Sequence, residues 1–155
     1  MDDNYRMLRR IMLATNKIDG AYYYLSRRLG IKENVLALLY ALDDGEPHTQ
    51  KQIGEDWQIP KTTINTNVRE LTQAGYLTLL SGKGSREKII CLTERGKVYA
   101  AGIMQAVYEA EQAAIDRALT KFSPEFVDAM DYFAGCVCDE FQRRLGEGED
   151  PVPQD

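Results

Sequence analysis

"TQKQIGEDWQIPKTTINTNVRELTQAGYL", residues 49–77, reads as two short helices around a turn. Thr49 offers the side-chain oxygen that an N-cap needs, so a helix is predicted over residues 50–57 with Ile53 and Trp57 inward. "QIP", residues 58–60, is the turn. Proline suits the first position of a helix, so the second helix starts at Pro60 or Lys61, runs to Gln73 or Ala74 and stops at Gly75. Ile64, Val68 and Leu71 fall on its inner face. Lys61, Thr62, Thr63, Asn65, Thr66, Asn67 and Arg69 are left facing outward. Threonine and asparagine are poorer helix formers than the Glu, Lys, Gln and Ala of an ordinary solvated face. Hydrogen bonding to base edges explains such a choice: asparagine pairs bidentately with adenine, and threonine donates to bases or phosphates. Lys61 and Arg69 add phosphate-binding charge.

The hydrophobic period changes after Gly75. Residues 76–81 and 87–93 are short β-like runs, and "GKGSR" between them supplies a hairpin turn. Lys83, Arg86 and Lys88 make the hairpin basic. The GKGS string is not a nucleotide loop: the phosphate-binding motif needs glycine six residues before its lysine and Ser or Thr after it. Here those positions are Leu77 and Gly84. Two helices around a turn, followed by a basic hairpin, make a winged helix-turn-helix. Its second helix enters the major groove of duplex DNA.

Longer helices are predicted on both sides. Leu8, Ile11, Thr15, Ile18, Tyr22, Leu25 and Leu29 repeat at alternating spacings of three and four over residues 4–29, ending at Gly30. Residues 32–42 form a second helix with Val35, Leu38, Leu39 and Leu42 on one side. A long alanine- and glutamate-rich helix follows "LT" from Glu94 to about Lys121. Ser123 and Pro124 open a last helix with Phe126, Met130, Phe133, Val137 and Phe141 inward. The fold class is therefore mostly α with a small β-hairpin wing. A first helix with so long a seam needs more cover than one small lobe offers, so a second subunit is expected.

The chain has 155 residues, a formal charge of −5, 44% hydrophobic and 28% charged residues, within the range of globular proteins. Residues 47–97 hold eight basic and five acidic side chains, a net of +3, against −8 for the remainder. A basic island between acidic flanks suits a polyanion. No apolar run reaches the roughly 20 residues of a membrane span, and no signal-peptide pattern opens the chain, so a cytosolic protein is expected. Three cysteines (Cys91, Cys136, Cys138) are too few for a disulfide scaffold, and Cys136 and Cys138 at i, i+2 do not share a helix face. With His48 the single histidine, the sequence supports neither a metal site, a cofactor site nor a catalytic constellation.

Residues 49–96 as a whole, with "LTQAGYL", the basic wing and "LTERG", resemble the MarR family of winged-helix transcription regulators. The resemblance implies a homodimer in which residues 1–30 and 95–146 dimerise and residues 31–94 bind DNA; residues 147–155, acidic and proline-rich, read as a flexible tail. It further implies two lobes on a near-palindromic operator and, most often, a repressor released by a small-molecule effector. Arg86 falls at the family's wing-tip arginine, which enters the minor groove; Gly84 stands where the family has an orienting aspartate. The family's ligand pocket lies where dimerisation and DNA-binding lobes meet, which makes Tyr22, Tyr23 and Tyr40 candidate lining residues. The thiol-sensing branch has a cysteine near the chain start, and this sequence has none there. The alternative is a winged-helix module that binds another protein and no DNA.

Overall fold

The computed structural model describes residues 2–81 and 88–145. Its elements run α1 (Asp3–Leu29), α2 (Glu33–Leu42), β1 (His48–Thr49), α3 (Gln50–Asp56), α4 (Lys61–Gln73), β2 (Leu77–Ser81), β3 (Lys88–Leu92), α5 (Glu94–Leu119) and α6 (Glu125–Leu145). The chain divides into two compact units, Met1–Val107 and Tyr108–Asp155.

Local chemistry sets the boundaries in the first unit. Gly30, at φ 70°, ends α1 in the left-handed conformation, and the following Ile31 N–H reaches back to Ser26 O at 3.0 Å. Thr49 and Gln52 form a reciprocal capping box on α3: Gln52 N donates to Thr49 Oγ1 at 3.2 Å and Thr49 N to Gln52 Oε1 at 2.9 Å. Gly75, at φ 80°, closes α4, with Tyr76 N donating to Leu71 O at 2.9 Å. Between α3 and α4 the chain turns through Gln58 at φ 51°, an unusual conformation for a side-chain-bearing residue. The Gln58 amide steadies it by donating to Glu55 O at 2.6 Å.

The sheet has the order β1-β3-β2, antiparallel throughout. β2 and β3 pair from Leu77 with Leu92 to Ser81 with Lys88, the expected hairpin. The two-residue β1 adds a third strand that the sequence pattern did not show. At the far end of β3, Thr93 locks the sheet to α5. Its hydroxyl donates to Gly75 O at 2.7 Å and accepts from Gly96 N at 2.9 Å. A Cβ on Gly96 would fall on the Tyr76 carbonyl, so only glycine permits this approach. The "LTERG" string is thus a junction: strand end, helix cap and close backbone contact.

The core of this unit joins Leu38 and Leu39 of α2 to Ile53, Ile64, Val68, Ile90, Met104 and Val107. Tyr22, Leu25 and Leu29 of α1 pack against it half-buried, whereas Leu8 and Ile18 further up the same seam are exposed. In the second unit α6 buries no residue. Phe126, Met130 and Phe141, expected inward, are exposed among the described residues. Ser123 does not cap α6 as expected; its hydroxyl contacts the Glu125 carboxylate at 3.0 Å.

Candidate nucleic-acid interface

α4 presents the expected polar face with one correction. Lys61, Thr62, Asn65 and Arg69 are exposed, and Thr63 and Thr66 are half-buried. Asn67, expected outward, is buried at 3% exposure, and its Nδ2 finds no hydrogen-bond partner among the described residues. The reason is helical geometry: the buried stripe of α4 contains Ile64, Val68 and Leu71, and position 67 lies between them. Sequence reasoning placed it outside on polarity alone.

The exposed stripe is electrically open. Neither Lys61 nor Arg69 carries an ion pair among the described residues. Glu70, the acidic member of the helix, is neutralised by Lys32 Nζ at 2.8 Å. That bridge also ties α4 to the start of α2, a link that sequence spacing could not reveal across 38 residues. Both ends are largely exposed, so its mechanical contribution is small, but it removes a carboxylate from the face a polyanion would approach.

Lys88 stands at the base of the hairpin, exposed, with Nζ donating to Ser81 Oγ at 3.0 Å. Lys83 and Arg86 lie outside the described residues. The wing is anchored behind by the third strand, whose His48 Nε2 sits 2.9 Å from both carboxylate oxygens of Asp44. The Glu46 backbone N–H, and then His48, hold the Asp44 carboxyl below its ordinary value.

A cavity of about 480 Å³ opens between α1, α2 and the α3–α4 turn. Tyr22 and Tyr40 line it as expected, together with Trp57 and Ile59 from the turn itself. Trp57, expected inward, is 42% exposed. It is the residue that ends α3, and its ring meets Tyr40 at 5.1 Å between centroids. Tyr23 does not line the cavity. It packs edge-on against Tyr24 at 5.6 Å and carries Arg27 over its ring at 5.9 Å. Cys91 and Cys136 are half-buried and Cys138 is exposed. Among the described residues no cluster of His, Cys, Asp or Glu has the makings of a metal site, and no helix is long and apolar enough to cross a membrane.

A helix-turn-helix with a capped first helix, a polar second helix and an antiparallel hairpin behind it is a winged-helix module. Residues 29–87 match the family model of the MarR family. The fold is similar over 96% of the chain to the MarR family regulator NMB1585 of Neisseria meningitidis, with 25% identity, all of that chain covered and a TM-score of 0.72. The central part of the chain thus matches the MarR family in sequence, and the fold over nearly its whole length is similar to that of a MarR family regulator. The fold also resembles BldR, a transcriptional regulator of Sulfolobus solfataricus, at 15% identity, 87% and 99% coverage and a TM-score of 0.67. AbfR of Staphylococcus epidermidis, solved in an overoxidized form bound to DNA, is similar at 15% identity, 90% and 97% coverage and a TM-score of 0.62. No curated protein matches the chain in sequence.

Proposed function

We propose that the protein is a homodimeric, sequence-specific DNA-binding repressor whose two α4 helices read a near-palindromic operator. The observation that carries this reading is the open stripe of Lys61, Thr62, Asn65 and Arg69 on α4. It has hydrogen-bonding side chains and unpaired positive charge where a protein-binding module would have an apolar centre. Asn65 and Thr62 are assigned to base edges, and Lys61, Arg69 and Lys88 to phosphates. Thr63 and Thr66 flank the stripe. Lys83 and Arg86 are assigned to the wing tip, with Arg86 at the minor groove. α1, α5 and α6 are assigned to dimerisation, supported by the apolar side chains that α1 and α6 leave uncovered. The DNA-bound AbfR gives a precedent in the same fold.

The aromatic cavity is assigned to a small-molecule effector. Support comes from its wall: Trp57 and Ile59 belong to the turn that sets the pitch of α4 against α3. An occupant there favours one setting of the turn over another, and so couples binding to DNA affinity. Tyr22 and Tyr40 are retained as effector residues and Tyr23 is not.

Fluorescence anisotropy with duplex from the protein's own promoter region tests the DNA reading. Binding is expected to weaken with salt, and each of Lys61→Ala and Arg69→Ala should flatten the log–log slope by about 0.9. Asn65→Ala should cost about 1–3 kcal/mol on the specific site and little on random duplex. Absence of any binding at low salt would instead support the protein-interaction module.

A further inference from the structure

We propose that the cavity between α1, α2 and the α3–α4 turn selects a small organic cation with an aromatic body. The proposal rests on reading this cavity as the effector site and adds the charge and shape of its occupant.

Charge is the first ground. Asp19 of α1 and Glu33 in the first turn of α2 both line the cavity, and among the described residues no lysine, arginine or histidine does. Neither carboxylate has an ion-pair partner among the described residues. The nearest basic residue in sequence to Glu33 is Lys32, and its ammonium is engaged by Glu70 at 2.8 Å. An anion entering here meets two uncompensated negative groups and no donor of opposite charge. A cation meets attraction from both carboxylates.

The rings are the second ground. Tyr22, Tyr40 and Trp57 contribute three aromatic side chains to the lining. Tyr40 and Trp57 meet at 5.1 Å with their planes 55° apart, so they form a corner rather than a closed stack. A cation within about 6 Å of such a ring is attracted by its quadrupole, and tryptophan is the strongest partner. Quaternary ammonium groups gain most from this arrangement, because they offer no N–H and need no hydrogen-bond acceptor. The cavity of about 480 Å³ is large enough for a compact ligand with one aromatic ring, since small-molecule sites run from about 300 to 1,000 Å³.

Trp57 is the single tryptophan, so its fluorescence reports directly on the cavity. The full chain is titrated with benzyltrimethylammonium, with phenylacetate and with benzyl alcohol. The cation is expected to give a saturable change with a Kd at least tenfold below that of the anion. Asp19→Asn combined with Glu33→Gln should weaken the cation about tenfold and leave benzyl alcohol unchanged. Both side chains are exposed, so this variant should fold, which circular dichroism checks. Phenylacetate binding as tightly as the cation, with loss in Tyr40→Ala, would overturn the charge assignment and leave the effector cavity standing. Cation binding indifferent to the double variant would overturn it as well. Cation binding that obeys these expectations but leaves duplex affinity unchanged upholds the selectivity and overturns the effector reading. No saturable change with any of the three overturns both.

Discussion

α2 and α6 are both rich in apolar side chains, and they stand in opposite surroundings. α2 buries six of its ten residues within the first compact unit, including Leu38 and Leu39 with no exposed surface. α6 is 21 residues long and buries none. Phe141 there is 60% exposed and Val127 50%. The winged lobe closes its own core, whereas α6 carries an amphipathic stripe that stays open among the described residues. Such a stripe is stable in water only when another surface meets it, and the isologous contact of the proposed dimer would supply one. The difference separates what a single chain determines from what the proposed dimer must complete.

The largest effects should come from the lobe. Leu38→Ala removes buried methyl groups from a fully enclosed site and should cost about 2–5 kcal/mol in a denaturant titration. Phe141→Glu should instead leave the lobe's unfolding nearly unchanged and weaken self-association at least tenfold by sedimentation. Equal losses of lobe stability from the two variants would break the comparison. Gly96→Ala comes next, because the new methyl group collides with the Tyr76 carbonyl, and a loss of about 1–3 kcal/mol is expected. Thr93→Ala should cost about 1 kcal/mol through the lost cap, and Thr93→Ser should restore most of it. The smallest effect is on pH dependence, with one group in each region. Glu140 of α6 is held below its ordinary pKa by Arg143 and then Arg144, as Asp44 is by the Glu46 backbone and His48. Folded-state depression means that their stabilisation is complete above the ordinary carboxylate values of 4.5 and 3.8. It fades as pH falls through the lower folded values. Both groups lie at the surface, so thermal midpoints of Asp44→Asn and Glu140→Gln should differ from the parent above the ordinary carboxylate range and converge with it as pH falls through the lowered folded values.

Most of the fold was legible because each boundary has a local chemical cause. Thr49 with Gln52, Pro60, Gly75 and the Thr93–Gly96 junction are all signals within four residues. β1 was not legible: two residues cannot show a period, and their pairing depends on β3, some forty residues away. In the site, the exposed members of α4 followed from the apolar stripe opposite them. Asn67 did not, because polarity suggested solvent while helical phase put it inside. Trp57 failed in the other direction. At the end of α3 its backbone leaves the helical conformation, so helical phase no longer fixes where the ring points. Tyr23 was grouped with Tyr22 by adjacency, but neighbours on a helix point about 100° apart. Asp19 and Glu33 drew no notice because a lone carboxylate on a helix has no signature until a cavity gathers it with others.

Among the described residues the order β1-β3-β2 leaves one side of β2 without a partner strand, and Leu79 and Leu80 of β2 are exposed. Such an edge is a template for another chain, and leucines make it adhesive. Concentrated solutions of the protein should therefore lose material through strand-to-strand aggregation at this edge before the helical regions contribute. A lysine at position 80 would act as a gatekeeper there and raise the concentration at which the protein stays dispersed.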